Sequence, residues 1–140
     1  MTREQIAALF ARRDADFARR DAAALAVDYA DDATIHSPTS GVHVGPVAAQ
    51  HGFDVIFSAF GDITRRTERI VIDRDRVAEV LFLQGTNLGG LLHLPPSGKH
   101  FEVPAVFTYE LRDGKIARER RIYDFTGVLV QVGALKARPA

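Results

Sequence analysis

The stretch HFEVPAVFTYELRDGKIARERRIYDF, residues 100–125, decides the fold. Two runs rich in β-branched and aromatic residues flank Arg112-Asp113-Gly114, the strongest turn signal in the chain. With a two-residue Asp113-Gly114 loop, Arg112 pairs with Lys115 and Leu111 with Ile116. The same count sets Tyr109 opposite Arg118, Phe107 opposite Arg120, Ala105 opposite Ile122 and Val103 opposite Asp124. Directly opposed residues share a face. The odd-numbered side of the first strand, Val103 to Leu111, is the more apolar and is expected to meet the helices. That register carries Arg120 and Asp124 to the core side. A one-residue bulge would reverse the second strand's contribution.

Asp124 then raises a chemical question. A buried carboxylate is costly unless it is paired, hydrogen-bonded or protonated. Desolvation raises its pKa, which suits proton transfer at neutral pH. Two structural readings stand beside that one: Asp124 caps the turn at Thr126-Gly127, or it pairs with Arg120. Arg120 itself either binds a substrate carbonyl or carboxylate, holds Asp124 ionised, or covers core with its stem while its head reaches solvent. Tyr109, on the same face, is a hydroxyl donor to substrate or a packing residue. His36, between Ile35 and Ser37 on a short strand, lines a pocket or sits hydrogen-bonded in the core.

Upstream, Thr2 and Gln5 fit a capping box, and Ile6, Leu9, Phe10, Arg13 and Phe17 follow helical spacing. The pattern predicts a helix over residues 3–19, a short one from Asp21 through Tyr29, and a strand at 33–38. A third helix starts at Pro46 and runs to Phe60, with Val47, His51, Val55 and Phe60 among its inward candidates. Two β-rich stretches, 63–72 and 76–87, read as a hairpin. The Gly- and Pro-rich loop after them leads to the opening stretch. Residues 126–135 form a short terminal helix or an extended tail. Helices first and strands later predict α+β with an antiparallel sheet in one domain, residues 1–140.

Composition bounds the function. Eighteen basic and 18 acidic residues cancel, against the basic excess of nucleic-acid binders. The chain has no cysteine, and its five histidines have no metal-ligand spacing, so no metal or cofactor is expected. No apolar run approaches the roughly 20 residues of a membrane span. A cytoplasmic protein without membrane or nucleic-acid partners is expected. The face opposite the core, with Val106, Tyr123 and Phe125, is more apolar than an exposed sheet requires and suggests a homodimer.

Residues 85–133, with GTN–LGG, LPPSGK, DGKI, the Tyr123-Asp124 pair and QVG, resemble the SnoaL-like polyketide cyclase family of the nuclear transport factor two-like superfamily. YADDATIHSP (29–38) and GPVAAQHGFDVIFSAFGD (45–62) match its strand-then-helix arrangement. The resemblance implies a cone-shaped, curved antiparallel sheet wrapped around N-terminal helices, with a pocket inside. It implies ring closure by intramolecular aldol condensation without metal or organic cofactor, and dimers formed through sheet surfaces. The family's proton-transfer aspartate matches Asp124. A recurring polar position after Gly-Thr, often histidine, is Asn87 here, which donates a hydrogen bond but is no base at neutral pH. The often aromatic middle of the last strand is Arg120.

The expected function is a SnoaL-like cyclase or isomerase acting on a small, mainly apolar carbonyl compound by acid/base catalysis. Asp124 moves the proton, and His36, Asn87, Tyr109 and Arg120 bind substrate. Two alternatives remain. One is a domain that binds a small ligand without chemistry. The other is an epoxide-hydrolase-type enzyme, which needs an acid–arginine–acid set; Arg120 and Asp124 supply part, and Glu68 or Glu79 joins only if strand faces cooperate.

Overall fold

A computed structural model describes residues 1–137. The first helix, α1 (Arg3–Ala18), is started by the anticipated capping box: Thr2 Oγ1 accepts the Gln5 N–H and the Gln5 side chain accepts the Thr2 N–H. Its inward stripe is Ile6, Phe10, Arg13 and Phe17, as the spacing predicts. Asp21 caps α2 (Ala22–Ala26), which ends earlier than expected because Tyr29 already opens β1 (Tyr29–Ser37). A four-residue β2 (Gly41–Val44) occupies what reads as a loop in the sequence. It passes directly into α3 (Gly45–Ala59), and Gly45 is required at the junction. Its φ is +83°, and a Cβ there would meet the Asp31 carbonyl oxygen at 2.9 Å.

The middle hairpin is β3 (Thr64–Asp73) and β4 (Arg76–Thr86); the last is β5 (His100–Arg112) and β6 (Lys115–Tyr123), followed by α4 (Phe125–Gln131). One six-stranded sheet runs β2-β1-β6-β5-β4-β3. Every neighbouring pair is antiparallel except β1 with β6, so the sheet is mixed rather than wholly antiparallel. The α+β class stands. The core lies between the helices and the odd-numbered face of β5, where Phe101, Val103, Ala105, Phe107, Tyr109 and Leu111 are all buried.

One inferred face is partly wrong. On α3 the buried positions are Gly45, Ala49, Phe53 and Ala59, and Phe60 after it is buried as inferred; His51 and Val55 are exposed at the cavity edge, and Val47, 85% exposed, points outside. Among the described residues no helix is long and apolar enough to cross a membrane.

Candidate active site

The site is set by one extra residue. Arg112 pairs with Lys115 and Leu111 with Ile116, as the two-residue turn requires; then the register slips, and Glu110 pairs with Arg118. This β-bulge at Ala117 reverses every later side chain of β6. Tyr109 faces Glu119, Phe107 faces Arg121 and Ala105 faces Tyr123. Glu119, Arg121 and Tyr123 therefore point inward, and Arg118, Arg120 and Ile122 outward.

Inside the cone is a cavity of about 300 Å³. Its walls are aromatic, including Phe17, Phe53, Phe60, Phe101, Phe107 and Phe125. Its polar lining is Arg13, Arg65, Tyr109, Glu119 and Arg121, with Ser37, Thr39, His43, His51 and Tyr123 also on its surface. A few fixed polar groups on an apolar surface are the usual anatomy of a small-molecule site.

Glu119 is 1% exposed and anchors the first polar cluster. Its Oε2 accepts a short hydrogen bond from the Tyr29 hydroxyl, and its Oε1 accepts Arg121 Nε–H at 2.5 Å. Burial alone would raise the carboxyl pKa, but the Arg121 charge and hydrogen bond override it, with help from Arg13, and hold it below the usual range. That direction favours the carboxylate form of Glu119 at neutral pH. Behind it, Arg13 donates to Tyr29 Oη at 3.1 Å and, from Nη1, to Asp28 at 2.8 Å and the Leu25 carbonyl at 3.0 Å. Burial first, then the Glu119 charge, pushes the Tyr29 hydroxyl up to about 12, so it stays a donor. Arg121 is held differently: Nε is committed to Glu119 and the guanidinium lies 5.2 Å from the Phe53 ring centre, while Nη1 and Nη2 have no hydrogen-bond partner among the described residues.

A second cluster sits under the neighbouring strands. Arg65 Nη2 donates to Glu79 Oε2 at 2.5 Å, and its Nε is 3.1 Å from Asp14 Oδ1. The Tyr109 hydroxyl is 3.0 Å from the same Glu79 oxygen. Asp14, Arg65 and Glu79 thus form an acid–arginine–acid set that strand reading left unresolved. Only Arg65 and Tyr109 of this cluster line the cavity. Glu68 lies exposed on the β3 bulge and takes no part.

Of the residues expected at the site, Tyr109 is in the cavity; the other placements are corrected. Asp124 is exposed and follows the last strand as N-cap of α4, its Oδ1 accepting the Gly127 N–H at 2.8 Å. This is the turn-capping alternative, and Gly127 makes room for it: a Cβ there would sit 2.4 Å from Asp124 Oδ2. Arg120 is exposed because of the bulge. His36 pairs with Arg120 on the sheet face opposite Ile35, and it is Ile35 that lines the cavity. Asn87 is buried but clamps its loop: Nδ2 donates to the Pro95 carbonyl at 3.1 Å and Ser97 Oγ at 3.2 Å, and Oδ1 accepts the Gly89 N–H. Asp124→Ala is accordingly expected to cost about 1 kcal/mol of stability through the lost cap and to leave ligand binding in the cavity unchanged. Chemical denaturation and a binding isotherm on the same variant check both halves.

Sequence reasoning missed Glu119, Arg121 and Arg65. One sign was available. The apolar excess of Tyr123 and Phe125, which suggested a covered outer face, instead marks the inward register.

Residues 8–132 match the SnoaL-like polyketide cyclase family. The chain belongs to that family. The nogalonic acid methyl ester cyclase of Streptomyces nogalater is 32% identical over 107 residues, 76% of this chain and 78% of the relative. Among solved structures, TsrD from Streptomyces laurentii has a TM-score of 0.86 at 21% identity, covering 96% of this chain and 99% of TsrD. A Catenulispora acidiphila protein of ketosteroid isomerase-like fold, in complex with trimethylamine, gives 0.77 at 19% identity, covering 95% of each chain. These two likenesses show the fold. Family membership supports a cyclase-type function.

Proposed function

We propose that the protein closes a ring in a polyketide-type carbonyl compound by acid/base chemistry of its own side chains. Glu119 accepts the proton from the carbon beside a carbonyl. Arg121 Nη groups hold the enolate oxygen as charge develops there, a kind of donor worth a few kcal/mol in a water-poor site. The enolate carbon attacks a second carbonyl, one C–C bond forms, and the new alkoxide takes a proton. The observation that carries this reading is the pairing of a buried carboxylate, held below its usual range by Arg121, with a guanidinium whose two terminal nitrogens have no hydrogen-bond partner among the described residues. The aromatic walls suit a flat, mainly apolar substrate body. The name of the Streptomyces nogalater relative suggests the first compound to try.

The test is incubation with nogalonic acid methyl ester and chromatography of the product. Aldol closure yields an isomer of unchanged mass. Wild-type protein is expected to form it and the Glu119→Gln variant to lose that ability; equal conversion by both would remove the proposal.

The homodimer is a proposal on changed grounds. Tyr123 and Phe125 line the cavity, but Val80, Val106 and Ile122 form a cross-strand row outside, with Ile122 54% exposed. Light scattering after gel filtration is expected to give twice the 15.4 kDa chain mass, reverting to one chain mass in Ile122→Glu.

A further inference from the structure

Ring closure as proposed above consumes a proton at the alkoxide, and Glu119, which has just received one from carbon, sits on the other side of that exchange. The second cluster has the parts to supply it. Arg65 on β3 lies between two carboxylates, Asp14 of α1 and Glu79 of β4. One cation neutralises one of them. The Asp14 side chain is 39% exposed, and although its Oδ1 beside Arg65 is buried, its Oδ2 accepts a hydrogen bond from Thr67; the Glu79 side chain is 1% exposed and the more costly of the two to leave charged. Glu79 Oε1 is moreover buried with no hydrogen-bond partner among the described residues, a costly place for a naked carboxylate oxygen and a much cheaper one for a protonated acid. Its other oxygen is 3.0 Å from the Tyr109 hydroxyl, and a proton between two oxygens at that distance can reside on either. Tyr109 in turn reaches the cavity and is the cross-strand partner of Glu119.

We infer that Glu79 holds a proton in the resting protein and delivers it through the Tyr109 hydroxyl to the oxyanion formed in the cavity. The inference rests on the ring-closing reading and assigns its acid half. The transfer balances: the Glu79 proton moves to Tyr109 oxygen, the Tyr109 proton moves to the alkoxide, and Glu79 is left as a carboxylate paired with Arg65. Glu119 meanwhile keeps the proton from carbon. Exchange with solvent returns both acids to their starting forms. The groups facing Glu79 and Tyr109 from the packed elements are Arg65, Asp14, Arg13 and Glu119, and burial outweighs Arg65 in raising the Glu79 carboxyl above its ordinary value. Two acids pushed in opposite directions across one tyrosine make a donor and an acceptor. Tyr109 is the catalytic residue of this half; Glu79 acts through it.

The decisive measurement needs no turnover. In protein carrying carbon-13 at the glutamate carboxyls, Glu79 is expected at pH 7 at the chemical shift of a protonated acid and Glu119 at that of a carboxylate. Glu79→Gln and Glu119→Gln remove the respective resonances. If Glu79→Gln does not fold, Tyr109→Phe moves the Glu79 resonance and assigns it. 4-Nitrophenolate then serves as the oxyanion probe: it is expected to bind wild-type protein and to bind Tyr109→Phe at least tenfold more weakly. An ionised Glu79 at pH 7, or phenolate binding absent or unaffected by Tyr109→Phe, would overturn the inference. Neither result depends on Glu119 as base, which the ester assay tests separately.

Discussion

Glu119→Gln is expected to slow conversion of nogalonic acid methyl ester by roughly 100- to 10,000-fold, the range usual for loss of a positioned proton acceptor. The loss should fall on kcat rather than KM, because the carboxylate acts as the carbon–hydrogen bond breaks. Wild-type rate should fall as pH is lowered through the depressed Glu119 value, since protonation disables the base. The variant should show no such limb. Stability changes in the same direction for a separate reason. Tyr29 and Arg121 both donate to Glu119, one to each oxygen. An amide offers oxygen to one of them and N–H₂ to the other, so one buried donor is left unmatched at about 1–3 kcal/mol. The linkage follows the usual carboxylate sign. A folded-state pKa below the unfolded one contributes stability at neutral pH, and that contribution disappears as pH falls through the folded value. Near-UV circular dichroism at the assay temperature separates a folded but inactive variant from an unfolded one.

Much of this was readable because it is local. The capping box at Thr2 and Gln5 involves four consecutive residues, and the Asp113-Gly114 turn is fixed by two. The apolar alternation of β5 identified its inner face without knowledge of any other strand, and it put Tyr109 in the cavity. The bulge at Ala117 has no comparable local mark. Moving one residue out of register exchanges the two faces of β6 wholesale. On one side stand Arg118, Arg120 and Ile122, on the other Glu119, Arg121 and Tyr123, and neither reads as clearly apolar. What settles the matter is long-range: the Glu119 carboxylate finds Tyr29 from β1 and lies in a network with Arg13 from α1. A buried charge is tolerated only with such partners, and their proximity exists only once the fold does. The α3 face was misjudged for a related reason. Small residues, Gly45 and Ala49, are buried, while Val47 is left outside and Val55 stays half-exposed at the cavity edge. At those positions side-chain size ran opposite to burial, although Phe53 on the same helix is buried. Asp124 shows the converse. Its capping geometry with Gly127 is entirely local and was among the readings its spacing allowed.

The largest stability loss is expected from Arg13→Met, about 3 kcal/mol. Arg13 is 2% exposed, bonded to Asp28, Leu25 and Tyr29, with its guanidinium 5.2 Å from the Tyr29 ring centre. Methionine approximates its volume, so little cavity forms and the cost is electrostatic. Removing one member of a buried pair usually costs about 3–5 kcal/mol, because the other charge stays behind. The lower end applies here because Asp28 also accepts a short hydrogen bond from Arg12, which persists in the variant. The charge left on Asp28 is then the main penalty, and it can be removed independently. Arg13→Met with Asp28→Leu should regain most of the loss, since an apolar pair of similar bulk carries no desolvation penalty. Urea denaturation of the two single variants, the double variant and wild type gives the coupling between the positions. A strongly negative coupling, with the double variant well above the sum of the singles, is the expected result. Simple additivity would mean that Arg13 stabilises the fold through Tyr29 and the Leu25 carbonyl instead, and it would shift the weight of this network from the ion pair to the orientation of Tyr29 against Glu119.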